Sequence, residues 1–258
     1  MIRIVSNSAV LAILLSVASF GAAQKKADVE PAKPNAPAEP AGMVKIFNGK
    51  DLSRWEGNPK LWSIKDGVIR GETTKENPTK GNTFLIYKGG EVKDFELRLS
   101  VRIDHGNSGI QYRSKHYPGG SNDWIVGGYQ AEVANEPGRA GFIYHERGPK
   151  GRGRICLVGQ NVVIDKDAKQ NVAGKVGDEK AIAATYKLGD WNEYIIIAKG
   201  NRIVQYINGV QTVDLVDNDE KGRCNSGIIA LQIHAGAPMW VEFKDIRLRT
   251  YDDEKKAN

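Results

Sequence analysis

Cysteine is scarce, two in 258 residues, which excludes a small fold held together by a disulfide framework. The apolar stretch Ala9–Phe20 falls short of the roughly 20 residues a membrane-spanning helix needs. No HExxH and no paired CxxC occur, and the glycine-rich run Gly148–Gly153 lacks the GK[ST] ending of a phosphate loop, so the common zinc and P-loop chemistries fall away. Gly106-Asn107-Ser108-Gly109 lacks the spacing of a Gly-x-Ser-x-Gly nucleophile elbow. A strong charge of one sign is missing too. The 37 Lys+Arg against 31 Asp+Glu leave +6, a mild excess that reads as solvation and not as a nucleic-acid footprint.

Glycine, by contrast, is plentiful at 29 residues, as a fold with many tight turns requires. The chain opens with a cationic start (Arg3), the apolar Ala9–Phe20 and the small residues Gly21-Ala22-Ala23, the pattern of a signal peptide over residues 1–23. Export, periplasmic or extracellular, is therefore expected, with no stable membrane insertion after cleavage. Residues 24–42 hold four regularly spaced prolines among alanines and charges and are expected to be a disordered linker. One domain over 43–251 and a charged tail over 252–258 complete the chain. In an exported protein Cys156 and Cys224 are free to pair, and two separate thiols are the alternative.

Within the domain the period is two almost everywhere. Phe95, Leu97, Leu99, Val101 and Ile103 share one face of a strand, with Glu96, Arg98, Ser100 and Arg102 forming an ordinary solvated outer face. Residues 191–198, 202–207 and 210–215 read as a meander with turns at Gly200-Asn201 and Asn208-Gly209. Strands at 227–234 and 240–248 follow, and only residues 178–185 carry a helical pattern. Many strands without βαβ alternation predict an all-β antiparallel sandwich or jelly roll.

Three strands carry an unusual polar pair on one face: Gln111 and Arg113, Gln130 and Glu132, Gln232 and His234. A solvated sheet surface would explain any one of them. Together they offer the fork-shaped donors and acceptors that suit a sugar's hydroxyls. Tyr117, Trp124 and Tyr144 lie near the connections, where a ring can stack on a sugar face or simply pack in the core. Asn107 either binds substrate or only shapes its turn. The strand containing Gln130 has a single acid, not the closely spaced carboxyl pair of a retaining glucanase, although Glu132 and Glu146 could still meet across strands.

The strings FNGKDLSRW (47–55), WSIKDGVIRGE (62–72), DFELRLSVRI (94–103), GNSGIQYRS (106–114), GGYQAEV (127–133), FIYHERG (142–148), GIIALQIHAG (227–236) and VEFKDIRL (241–248) closely resemble the 3-keto-disaccharide hydrolase domain family, in order and across the whole domain. The resemblance implies a concanavalin A-like jelly roll, export in bacteria, and a carbohydrate substrate: a glycoside whose C3 hydroxyl has been oxidised to a ketone. Such a ketone acidifies the C2 proton, so a base can remove it, the C1 leaving group can depart, and water can add afterwards. For this chemistry Glu132 or His234 is the candidate base, Glu146 the proton donor, and Arg113 with Gln111 the pair that holds developing enolate charge. Gln130, Gln232, Asn107 and Trp124 are candidate substrate contacts. A divalent metal ion on Glu132, His234 and Glu146 is the alternative way to polarise the ketone. A non-catalytic lectin-like module of the cell envelope is the rival reading, since it needs the amides and rings but no ionisable pair.

Overall fold

A computed structural model describes residues 29–150 and 152–251. The expected signal peptide, residues 24–28 and the tail 252–258 lie outside them. In chain order the described residues form β1 (Val44–Lys45), β2 (Trp55–Glu56), β3 (Trp62–Lys65), β4 (Val68–Glu72), β5 (Thr83–Tyr87), β6 (Phe95–Ile103), β7 (Asn107–His116), β8 (Val126–Ala134), β9 (Ile143–Glu146), β10 (Arg154–Cys156), β11 (Gln160–Ile164), β12 (Gln170–Lys175), α1 (Glu179–Ala183), β13 (Asn192–Lys199), β14 (Arg202–Ile207), β15 (Val210–Asp217), β16 (Ile228–Ile233) and β17 (Trp240–Thr250). Two sheets result. One runs β12-β11-β15-β14-β13-β6-β17-β4-β3 with β1 beside β17, and the other runs β10-β9-β8-β7-β16-β5-β2.

The alternation explains the sandwich. Phe95, Leu97, Leu99, Val101 and Ile103 of β6 and Tyr129, Ala131 and Val133 of β8 point into one shared core, all essentially without solvent contact. The meander closes at Asn208-Gly209, where both residues have positive φ (50° and 80°), as a tight two-residue hairpin demands. Asp178 caps α1, its carboxylate accepting from the Ala181 amide at 3.0 Å. Pairing is antiparallel except between β11 and β15, which run parallel because the meander returns to β11 on its far side.

Two sequence expectations meet a different outcome here, for a common reason. Residues 29–42, expected as a disordered linker, lie along the first sheet: the Ala32 amide donates to the Ala181 carbonyl, those of Asn35 and Ala36 to the Gly209 carbonyl, and Arg249 donates to the Ala41 carbonyl. An extended proline-rich segment keeps its backbone groups free of internal bonds, so neighbouring edges can use them. Arg98 likewise donates to the Pro37 carbonyl at 2.8 Å. The segment thereby covers part of the outer face of β6, and Glu96 and Arg98 are buried (3% and 5% exposed) where a solvated face was expected.

Candidate active site

The second sheet turns its outer face toward a small polar cavity. On β8, Tyr129, Ala131 and Val133 take the core side, which leaves Gln130 and Glu132 on the other. Cross-strand register sets Gln111 and Tyr144 on either side of Gln130, Gly109 opposite Glu132, and Gly128 opposite Glu146. The Gln130 side chain lies over Gly109, where an added Cβ would stand 2.2 Å from its amide carbon. Glycine is therefore needed there for space, not for backbone freedom.

A chain of amides fixes the orientation of Gln130. Its Oε1 accepts from Gln111 Nε2 at 2.8 Å and from Gln232 Nε2 at 3.1 Å, so its own Nε2 is turned to donate to Glu132 Oε2 at 2.9 Å. Ser114 Oγ donates to Gln111 Oε1 at 2.8 Å and anchors the far end. Gln232 Oε1 is buried and has no hydrogen-bond partner among the described residues.

Glu132 is 3% exposed. Its other oxygen receives Asn107 Nδ2 at 3.3 Å and faces Arg139 Nη2 at 3.3 Å. Burial pushes the carboxyl above its usual pKa, while Gln130, Arg139 and Arg154 pull it part of the way back. Glu146, at the end of β9, is also raised by burial, and the positive charge available on His234 opposes that rise. Asn82 Nδ2 lies 3.5 Å from Glu146 Oε2, while Asn82 Oδ1 accepts from the Ala235 amide at 3.0 Å, tying the two loops together. His234 follows β16 directly, and its Nδ1 stands 2.6 Å from the Ala235 carbonyl, which assigns a proton to Nδ1; in the neutral ring Nε2 is then an acceptor. Phe142 and Tyr144 supply an apolar wall, with the Arg154 guanidinium 5.3 Å over the Phe142 ring. These groups enclose about 230 Å³, small for a ligand pocket and suited to a single ring.

Of the residues singled out in the sequence, Glu132, Glu146, His234, Gln130, Gln232 and Asn107 line this one cavity. Gln111 stands behind it as support. Arg113 and Trp124 are elsewhere. The ladder slips between Tyr112 and Lys115, and Arg113 adopts a left-handed φ of 47°, so the alternation that would set it beside Gln111 is broken. Its guanidinium donates instead to the carbonyls of Lys93 and Gly200 and pairs with Asp94 at 3.2 Å. Trp124 stacks on His116 and packs with Phe84, Ile86, Val126 and Ala230. Arg113 and Gln111, expected to hold developing enolate charge, do not line the cavity, whereas the guanidiniums of Arg139 and Arg154 do.

Arg139, Arg154, Asn82 and Phe142 carry no periodic signal. Arg139 sits in the Glu136-Pro137-Gly138 turn, whose turn chemistry is visible in the sequence but whose aim is not. Among the described residues no three His, Cys, Asp or Glu side chains are grouped to hold a metal ion. Glu132, His234 and Glu146 line one cavity but are not gathered into such a group, so they do not fit a metal centre. Cys156 and Cys224 are separate thiols: Cys156 donates toward the Gln160 carbonyl, and Cys224 Sγ lies 3.6 Å from His145 Nε2. No described helix is long and apolar enough to cross a membrane.

The family profile of the 3-keto-alpha-glucoside-1,2-lyase-like domain matches residues 42–249. No curated protein matches the sequence. A candidate glycosyl hydrolase from Parabacteroides distasonis ATCC 8503 is similar in structure at 16% identity, with 82% of this chain and 94% of that one covered and a TM-score of 0.52. A Bacillus subtilis protein of unknown function with a galectin-like fold is similar at 9% identity, over 84% and 97% of the two chains, with a TM-score of 0.53. At these identities the two likenesses show the jelly-roll fold.

Proposed function

The chain belongs to the 3-keto-alpha-glucoside-1,2-lyase-like domain family, and from that premise we propose that it is an exported carbohydrate-active enzyme that cleaves 3-keto-glycosides by elimination and rehydration. The observation that carries the reading is one cavity in which two carboxyls raised by burial, Glu132 and Glu146, meet two guanidiniums and a histidine. Glu132 removes the C2 proton. A raised pKa makes it a stronger base than an exposed carboxylate, and the amide of Gln130 holds it in one orientation. The electron pair left at C2 spreads onto the C3 oxygen, and Arg139 and Arg154 offset that charge as it forms. The pair then forms C1=C2 as the C1–O bond breaks. Glu146 gives its proton to the departing oxygen, and burial favours the protonated form that this step requires. Water adds hydroxide to C1 and a proton to C2, so the net change is hydrolysis. His234, with Nε2 free to accept, is placed to relay protons between Glu146 and that water.

The purified protein is incubated with a 3-keto-glycoside and with its unoxidised parent, with and without chelator, in D₂O. Release from the keto sugar alone, insensitive to chelator and with deuterium entering C2 of the released sugar faster than in a blank, is the expected result. Equal release from both substrates would overturn elimination in favour of direct hydrolysis. Saturable sugar binding with release from neither would leave a lectin-like module.

A further inference from the structure

A second cavity of about 550 Å³ adjoins the first, with Glu146 lining both. Its walls carry Lys115, Arg147, Lys221 and Arg223. Among the described residues no carboxylate lies within ion-pair distance of Lys115, Arg147 or Lys221, and Arg223 donates to the neutral Asn225 Oδ1 at 2.8 Å and has the loosely placed Glu220 at 3.9 Å. Such a density of unmatched cations in one concavity raises the local potential and draws in anions. Arg147 lies 5.0 Å over the Tyr117 ring, and both rest on the bare backbone of Gly127, where a Cβ would come within 2.9 Å of Arg147 Cβ and 3.1 Å of the ring. The cavity therefore offers a flat aromatic and cationic floor.

We propose that this second cavity is the subsite for the leaving group, and that it selects leaving groups carrying a carboxylate, such as a uronic acid. The inference rests on the proposed cleavage reaction. Glu146 is the group that protonates the departing oxygen, so the sugar with the ketone lies on its Glu132 side and the leaving group on its Lys115 and Arg147 side. The first cavity has room for about one ring, so the rest of any disaccharide has to lie beyond it, and the second cavity opens there.

Two matched substrates test this: a 3-keto-glucosyl glucose and a 3-keto-glucosyl glucuronate. At low ionic strength kcat/KM is expected to be about tenfold higher for the glucuronate, the combined yield of two or three exposed charge pairs. Added salt should shrink that ratio, and the double variant Lys115→Gln/Lys221→Gln, which alters two exposed side chains, should bring it toward unity. Equal kcat/KM for both substrates at low salt would overturn the subsite while leaving the cleavage reaction standing. A direct measurement is independent of turnover: free glucuronate and free glucose are titrated into the wild type and the double variant by calorimetry. Binding of glucuronate but not glucose, lost in the variant, supports the subsite even if neither substrate is cleaved. Absence of any preference for glucuronate overturns it.

Discussion

The two outer faces of the sandwich treat charge in opposite ways. On the first sheet each buried charge meets its opposite: Glu242 bridges Arg70 at 2.8 Å and Arg102 at 2.6 Å, and Glu96 pairs with Arg98 at 2.7 Å. On the second sheet Glu132 is held by two amides and by Arg139 at 3.3 Å, Glu146 only by a long contact to Asn82, and Gln232 Oε1 by nothing among the described residues. A matched face contributes to stability, whereas an under-matched one stores interactions for something that is absent until it binds. Position alone does not separate the two, because both faces alternate with the same core.

The sharpest way to test that contrast is Glu132→Gln. Turnover of a 3-keto-glycoside should fall by about 10² to 10⁴-fold, while folding should not suffer at neutral pH. The sign follows from linkage. A carboxyl whose folded pKa lies above its unfolded value favours folding below the unfolded value, and that contribution is lost as pH rises through the folded value. Glu132→Gln should therefore raise Tm relative to wild type at pH 7, with the difference vanishing below about pH 4; a lower Tm at pH 7 would mean that the carboxylate stabilises the fold. Activity should rise with pH as Glu132 ionises and fall again as Glu146 loses its proton, with both limbs displaced upward from the ordinary carboxylate range.

Gly109→Ala comes next. Its methyl would displace Gln130 and so misaim Glu132, with a loss of about 10²-fold in kcat; unchanged kcat in a folded variant would show that the amide chain does not position the base. Glu242→Gln should do the reverse on the other sheet, costing about 2 to 3 kcal/mol in urea unfolding with kcat/KM unchanged. Glu39→Ala, which removes an exposed partner of Arg247, should be the mildest, below about 1 kcal/mol by the same unfolding measurement.

Much of this contrast was legible in the sequence. The pairs Gln130 with Glu132 and Gln232 with His234 stand out because period-two strands force alternate residues onto one face, and amides with a lone acid are not what a solvated face uses. Arg113 was not legible as an exception. A bulge is a local backbone event, and nothing in GIQYRS announces a left-handed residue at its fifth position. Arg139, Asn82 and Arg154 were hidden for another reason: they arrive from a turn, a strand approach and an edge strand, and periodicity says nothing about where such groups converge. The chain at 29–42 was read by composition as unable to form a core, which is correct physics, but lying on someone else's edge needs only free backbone groups.

That same segment also determines where mechanical load goes. Its attachments run in series along the first sheet, from α1 at Ala32 through the β14–β15 hairpin at Asn35 and Ala36 to β6 at Pro37 and β17 at Ala41. A pull on the chain ahead of Val29 is taken up by these contacts one after another, on the sheet with the paired charges. The first of these contacts also reaches the cavity: Ala32 packs against the cluster of Phe142, Val158, Ile182 and Val210 that Tyr144 also joins, and Phe142 and Tyr144 wall the space holding Glu132 and Glu146, so the segment braces the site from behind.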